Sequence, residues 1–312
     1  MKNKVIDIFK NILMFIISMF LIISITFFLL ELVPGKTYDL DYIKDETVID
    51  NLNKKYGYDK SIFERYTNTL VKSLTFDFGD SFVYENKNTK TIIHDGFKVS
   101  SRIGILAIVI SFINGILLSL IMFKNRKKRN SKLNEIFILS LSSIPTFVIA
   151  SLLQYILCVK FKLFNVYGLN SIFDYILPTF VLSIYPTVFI ARILERQFTN
   201  IYYSDYVVFA KANGVDHVIL VAYYYLKNTI SPIFSYMGTL VANLLVGSFV
   251  VETIFNIPGL GKSFVSSILN RDFPLIMGLT IFFAFILTIS TYFFNILAIL
   301  INYKGDVFNE KK

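Results

Sequence analysis

The sequence predicts an all-α integral membrane protein with six transmembrane helices, and three observations carry that prediction. Hydrophobic residues make up 54% of the chain and mean hydropathy is +0.59, more apolar than an ordinary soluble domain. Apolar runs nearly free of charge recur along it, each about 20 residues long, enough for a helix to cross a hydrocarbon core of about 30 Å. Basic residues gather in short connections between the runs. The 124–132 loop alone holds six Lys/Arg and no acid, an asymmetry that orients a chain in a membrane.

The first span is expected from about Asn11 to Leu30. Lys2, Lys4 and Lys10 precede it, as in a signal peptide. The apolar run is too long for one, however, and Glu31-Leu32-Val33-Pro34-Gly35 follows in place of a small-x-small cleavage site, so a retained helix is expected. The second span is Ile103 to Phe123, and the third about Ile136 to Val159 with Pro145 inside it. The fourth lies between Asp174 and Arg192 with Pro178 and Pro186, and the fifth runs from about Thr229 to Val251. The sixth falls in the uncharged stretch Phe273 to Tyr303, long enough to tilt. Prolines are tolerated inside such spans because neighbouring helices satisfy the freed carbonyls.

The basic 124–132 loop places its side of the membrane in the cytoplasm. The N-terminus, the 195–228 segment with Arg196, Lys211 and Lys227, and the Lys304/Lys311/Lys312 tail then fall on the same side. An even number of spans puts both termini in the cytoplasm of a multi-pass cell-membrane protein. The net charge of +9 is thus a topology signal rather than a nucleic-acid-binding face. Four regions follow: residues 1–30 with the first span, an extracytoplasmic segment 31–101, a helical core 102–303 containing the cytoplasmic 195–228 segment, and a tail 304–312. Between Lys36 and Lys98 ten basic residues balance eleven acidic ones. A small subdomain packed on the bundle is expected there, with Tyr56, Phe63, Tyr66, Leu70, Leu74, Phe76 and Phe78 as a modest core. Trp is absent, so the interfacial rings fall to Tyr155, Tyr175, Tyr292 and Tyr303.

Little in the chain points to chemistry. The single cysteine, Cys158, excludes an intramolecular disulfide and reads as an apolar filler. His94 and His217 are the only histidines and fall on opposite sides of the expected membrane, so they share no metal site. Asn114, Gln154 and Asn243 lie within spans, where interhelical hydrogen bonding is the expected task and pore lining by one or two of them the alternative. Glu252 closes the fifth span on the outer side; its cost in hydrocarbon places it at the interface or facing the bundle interior, with a role in the 253–261 turn or in a gate. Pro258, Gly259 and Gly261 shape that turn. No phosphate-binding Gly-x4-Gly-Lys-Ser/Thr loop occurs. A non-catalytic subunit without cofactor or metal is expected.

The segment after the fourth span is more telling. Ser204-Asp205 offers an N-cap, and Gly214 stands where a helix C′ residue takes the left-handed conformation, which predicts a short helix at about 206–213. Asp216 then opens a second run through Lys227 into the fifth span, with Pro232 near its entry. A short helix closed by a tight glycine turn is a rigid knob, either an ordinary interfacial hairpin or an element through which a partner moves the attached spans.

Asp205-Tyr206-Val207, Ala210-Lys211-Ala212-Asn213-Gly214 and Pro232 resemble the cytoplasmic signature of binding-protein-dependent ABC permeases, with the spacing of the oligopeptide/dipeptide/nickel branch. Lys227-Asn228 stands where that branch commonly has Arg-Asn. Gly247-Ser-Phe-Val-Val-Glu252-Thr-Ile-Phe255-Asn-Ile-Pro258-Gly259-Leu260-Gly261 and Arg271-Asp272-Phe273-Pro274 look like the same family's downstream signature. In the N-terminal half, Pro34-Gly35, Tyr56-Gly57-Tyr58-Asp59, Arg65-Tyr66 and Phe78-Gly79-Asp80-Ser81 follow one another as in the first (B-like) permease type of these systems. Tyr224 replaces a frequent histidine, and the tail from Asn302 to Asp306 lacks the usual Asp-Pro-Arg ending.

The resemblance implies a type I importer permease fold and a translocation path for peptides, or for nickel and other metal chelates. It implies a second, homologous permease subunit, two cytoplasmic ATPase subunits and an extracytoplasmic solute-binding protein as partners, all set in membrane lipid. Tyr206, Ala210, Lys211, Ala212 and Gly214 would make the contact with the ATPase. The competing reading from the residues alone is an ion-coupled secondary transporter or another polytopic protein, against which the near absence of charge within the spans argues.

Overall fold

The computed structural model describes residues 2–33, 57–84, 87–126, 143–216 and 227–309, with isolated positions at 47, 51, 54, 136, 138, 140, 219 and 220. Pro34, Gly35, Tyr56, most of the 124–132 basic loop, His217 and residues 221–226 lie outside the described residues. Among the described residues ten α-helices follow in chain order: α1 Lys2–Leu32, α2 Ile62–Thr75, α3 Thr89–Asn125, α4 Thr146–Leu153, α5 Ile176–Tyr202, α6 Asp205–Ala212, α7 Lys227–Val246, α8 Phe249–Ile254, α9 Leu260–Leu269 and α10 Phe273–Asn309. A π-helical turn, Gln154–Lys160, extends α4, and a 3-10 turn, Ile172–Tyr175, leads into α5.

Among the described residues five helical stretches are long and apolar enough to cross a membrane: Phe9–Leu32, Thr89–Asn125, Ile172–Tyr202, Tyr236–Ile254 and Phe273–Ala298. They answer to the first, second, fourth, fifth and sixth expected spans. The third is represented by the shorter apolar helix Thr146–Lys160, which starts directly after Pro145. Within its expected first part, 136–145, positions 137, 139, 141 and 142 lie outside the described residues. Two boundaries differ from expectation for local reasons. The second helix begins at Thr89 rather than near Ile103, because apolar residues at helical spacing (Ile92, Ile93, Phe97) continue upstream of the uncharged run. The fifth span is not continuous to Val251: α7 stops at Val246, Gly247 takes a φ of 87°, and α8 resumes at Phe249. Helix α9 was not anticipated; it follows the 255–259 turn, with Gly259 at its N-cap.

The chain divides into two compact units. One comprises Met1–Val99 with Pro258–Thr288. In it, Ile23, Phe27, Phe78, Met277 and Ile281 form a buried cluster against which Tyr66, Leu70 and Phe76 pack. Helix α2 starts at Ser61, whose hydroxyl accepts from the Glu64 N–H at 3.2 Å. It is tied to α1 by a Ser24–Tyr66 hydroxyl pair at 2.7 Å and by Arg65, which donates to Glu31 at 2.8 Å. The expected subdomain core is corrected here. Phe63 and Leu74 are 74% and 83% exposed, and Tyr66, Leu70, Phe76 and Phe78 join a cluster shared with α1 and α10. A segment this small lacks the surface to bury a core alone, so it uses the spans.

The buried carboxylate of Asp272 organises the same unit. It accepts from the Ser81 hydroxyl, from the Phe82 N–H at 3.2 Å and from the Leu275 N–H at 3.3 Å. The last bond caps the start of α10. The first two hold the Phe78–Ser81 segment, 191 residues away in sequence.

The other unit comprises Ser100–Ile257 with Ile289–Lys312. Its core joins Ala107 and Phe123 of α3, Ile190, Leu194, Phe198 and Ile201 of α5, Val207 and Ala210 of α6, and Leu240 and Leu244 of α7. Lipid tails are as apolar as these side chains, so close backbone approach rather than dehydration holds the spans together. The tightest approach is at Gly104, where an added Cβ would fall on the Leu244 carbonyl. Gly104→Val is expected to destabilise the unit by about 1–3 kcal/mol, the usual cost of overpacking. A lower thermal midpoint of the detergent-solubilised protein, with Ile105→Val (exposed) unchanged, checks it.

Candidate functional site

Helix α6 is the knob expected from sequence, and its two ends are built differently. At its start the main chain behaves as anticipated, with the Val207 and Val208 N–H groups bonding the Ser204 carbonyl at 3.1 and 3.0 Å. The Ser204 hydroxyl does not cap the helix; it donates backward to the Ile201 carbonyl at 2.5 Å, stitching α6 to the end of α5. At the other end Gly214 has a φ of 75°. Its N–H bonds the Lys211 carbonyl at 3.0 Å and the Val215 N–H bonds the Ala210 carbonyl at 3.1 Å. That pair is a Schellman closure, which needs a left-handed residue at Gly214.

One face of α6 is seated and the opposite face is bare. Val207 and Ala210 are buried in the cluster with Phe123, Phe198 and Leu220. Tyr206 is 46% exposed and Phe209 72% exposed; spaced three apart, they share a face. Ala212 and Gly214 are exposed. The five residues expected to make one contact surface therefore divide. Tyr206, Ala212 and Gly214 face outward, while Ala210 turns into the core, where its small size lets α6 sit close. Lys211 is half-buried and bends back over Tyr202.

Tyr202 is the residue that sequence reasoning missed. The Lys211 ammonium lies 3.2 Å from the centroid of its ring and 3.4 Å from its carbonyl oxygen. The Arg126 guanidinium lies 4.0 Å from the same ring and 3.9 Å from that of Phe123, while donating to the Phe123 carbonyl at 2.7 Å. One aromatic ring at the end of α5 thus gathers cations from the end of α3 and the last turn of α6. Each contact of this kind is worth about 0.5–2 kcal/mol depending on its exposure. Nothing in local spacing announces the pair, because Arg126 and Tyr202 are far apart in sequence. Phe209 was legible in principle from its i, i+3 relation to Tyr206.

The second expected site, around Glu252, is also distributed. Glu252 is 2% exposed and accepts from the Ser100 hydroxyl at 2.7 Å. A Cβ on Gly247 would fall on the Glu252 carboxylate and within 2.8 Å of the Ser100 hydroxyl oxygen. The carboxylate therefore occupies the gap left by the glycine at the break between α7 and α8, facing the interior. Its main-chain carbonyl accepts from the Ile257 N–H at 2.7 Å, which starts the turn after α8. Gln154 completes this arrangement, donating to the Val166 and Ile254 carbonyls, each at 2.9 Å. Gln154 thus bonds between elements as expected, whereas Asn114 and Asn243 present their amides at the surface. Pro258, Gly259 and Gly261 belong to the other unit, where Pro258 is exposed and the two glycines are buried. Among the described residues no three His, Cys, Asp or Glu side chains converge to hold a metal; His94 is exposed beside Asp95 at 3.5 Å.

Residues 115–304 match the family model described as binding-protein-dependent transport system inner membrane component. The chain is 36% identical to the dipeptide transport system permease protein DppB of Bacillus subtilis, covering 88% of this chain and 89% of that protein. It is 30% identical to the oligopeptide transport system permease protein OppB of Salmonella typhimurium, covering 85% and 87%. A solved structure of the MetNI methionine ABC transporter in inward-facing conformations covers 70% of this chain and 95% of its own, with a TM-score of 0.50 at 14% identity, a likeness of fold alone.

The Tyr202 seat has a measurable consequence. Tyr202→Leu removes the ring from both cations and should raise the rate of tryptic cleavage after Lys211 about 5- to 30-fold, the equivalent of about 1–2 kcal/mol of local opening. Tyr202→Phe keeps the ring and the main-chain carbonyl and should stay within about twofold of the parent.

Proposed function

The chain belongs to the family of binding-protein-dependent transport system inner membrane components, and from that premise we propose how it works and what it carries. It is a transmembrane permease subunit of an ABC importer. Its cargo is peptide, by kinship with the dipeptide and oligopeptide permeases that it matches over most of its length; a nickel or metal-chelate cargo is not needed to account for any feature. A second, homologous permease completes the path, two cytoplasmic ATPase subunits drive it, and an extracytoplasmic solute-binding protein delivers the peptide. Both chain ends lie in the cytoplasm in this reading, which the basic 124–132 loop and the Lys-rich termini support by the bias of Lys/Arg toward that side.

The observation that carries the mechanical part of this reading is the two-faced α6. Its outer face offers Tyr206 and Phe209 to a partner, while Val207, Ala210 and the Lys211–Tyr202 contact bind it to α3 and α5. An ATPase that grips Tyr206 and Phe209 displaces the ends of two spans with them. Nucleotide binding then favours the permease arrangement that the gripped helix fits better, which is all that a ligand needs to do to shift a conformational equilibrium. Glu252, Pro258, Gly259 and Gly261 serve the turn after α8 and the start of α9, as supports of the permease rather than contacts for cargo.

Two substitutions test the coupling. Phe209→Asp puts a charge on the exposed face, and Gly214→Asp adds both a charge and a strained left-handed residue. Each is expected to lower ATP-dependent uptake of labelled di- and oligopeptides at least about tenfold, the effect of losing about 1.4 kcal/mol of coupling, with normal amounts of protein in the membrane. Uptake that survives in full in both variants removes the coupling assignment.

A further inference from the structure

Helices α5 and α7 run antiparallel in the chain and meet through a stack of three aromatic rings. Phe189 lies 4.1 Å from Tyr236, centroid to centroid, with planes 28° apart, and Tyr185 continues the stack at 6.4 Å from Phe189, again at 28°. These rings are not buried: Tyr185 is 55% exposed and Phe189 36%. On α7 the same surface continues through Thr239 and Asn243, both exposed and three and seven residues beyond Tyr236, on one helical face. Ala242 and Leu240, on either side of that face, are buried at 0% and 3%, so the exposed surface is a narrow strip.

Its depth makes the strip unusual. At a rise of about 1.5 Å per residue, Tyr185 lies about 14 Å beyond Ile176 and Tyr236 about 14 Å beyond Lys227, near the middle of helices long enough to cross the membrane. A phenol or carboxamide turned to hydrocarbon at that depth goes unsatisfied and costs several kcal/mol, whereas a helical threonine hydroxyl can bond the carbonyl four residues back. The exposed face of α3 shows what a lipid-facing surface of this protein looks like: between Arg102 and Lys124 it is Ile105, Leu106, Val109, Ile113, Leu117 and Ile121, broken only by Asn114. The strip on α5 and α7 instead offers two phenols, a threonine hydroxyl and a carboxamide in one continuous surface.

We propose that Tyr185, Phe189, Tyr236, Thr239 and Asn243 line the translocation path and form the surface over which the cargo peptide passes, an inference that rests on the peptide reading above. The composition suits that cargo. Ring faces accept varied apolar side chains without selecting among them. The Thr239 hydroxyl and the Asn243 carboxamide each donate and accept, which matches the repeating N–H and C=O groups that every peptide carries. A surface of this kind moves many sequences and holds none tightly.

Single cysteines at Thr239 and Asn243 in the assembled importer test this, with the native Cys158, which is 3% exposed, retained as background. Thr239→Cys and Asn243→Cys should react with a charged, membrane-impermeant methanethiosulfonate at least about tenfold faster than Leu117→Cys on the lipid-like face, because thiolate forms in water and not in hydrocarbon. Saturating peptide should slow both reactions several-fold. Rates equal to that of Leu117→Cys, or reaction only as a disulfide to the second permease, overturn the strip as a path. Fast labelling that no transported peptide slows overturns the peptide contact. Absence of any peptide uptake by the unmodified importer removes the cargo reading instead, and leaves the labelling rates to judge the strip.

Discussion

Every break in a helix at membrane depth has to satisfy its own backbone, and this constraint accounts for the buried carboxylates among the described residues, Asp174, Glu252 and Asp272. Water is not available there to take up freed N–H and C=O groups. At the end of α7 the chain turns at Gly247, and three side chains answer the break. Ser248 caps α8 by accepting from the Val251 N–H at 3.3 Å, Glu252 fills the space beside Gly247 with its carboxylate bonded to Ser100, and Gln154 takes the Ile254 carbonyl at the far end of α8. Asp174 does the same before α5, accepting from the Asn170 and Ser171 N–H groups at 2.8 and 2.7 Å and from Asn165 at 2.9 Å. In the other unit, Asp272 performs this service for the start of α10 and for the Phe82 N–H. Removing one partner from such a set leaves a buried polar atom unpaired, which costs more than the bond itself was worth. These residues are therefore structural first.

That division explains which parts of the molecule could be read from sequence. Spans and caps are local, so five of the helices, the short α6 and the left-handed Gly214 followed from the length of the apolar runs and from turn chemistry. Residues whose partners are distant did not. Asp272 and Ser81 each stood in a recognisable segment, but nothing local says that a carboxylate meets a hydroxyl 191 residues away. Lys211 reads as a cation on an exposed helix, yet the ring of Tyr202 draws it inward, an outcome set by the angle between α5 and α6. Phe63 and Leu74 were expected inside because they are large and apolar. The face that a helix buries is chosen by what it meets, and α2 meets α1 through Tyr66 and Leu70. The break at Gly247 was hidden because hydropathy continues unbroken through it; only the missing Cβ separates a continuous span from two helices with a carboxylate between them.

The same logic separates machinery from framework in the proposed importer. A permease has no bonds to make or break, so its working parts need not be acids, bases or metals; they are surfaces whose exposure has no structural explanation. Tyr206 and Phe209 are one such surface, bare on a helix whose other side is locked by Val207, Ala210 and two cations on one ring. The aromatic and polar strip of α5 and α7 is another, exposed at a depth where exposure to lipid is costly. The first surface is on α6, joined directly to α5, and the second is shared by α5 and α7. Ile190, Leu194 and Phe198, among the least exposed side chains of α5, pack it into the core of its unit between them. A rigid, closely packed helix responds to a push at one end by moving as a body rather than by bending. The seat at Tyr202 and the stack at Phe189 therefore lie on one helix, so in the proposed mechanism a displacement of α6 would reach the strip through α5 itself.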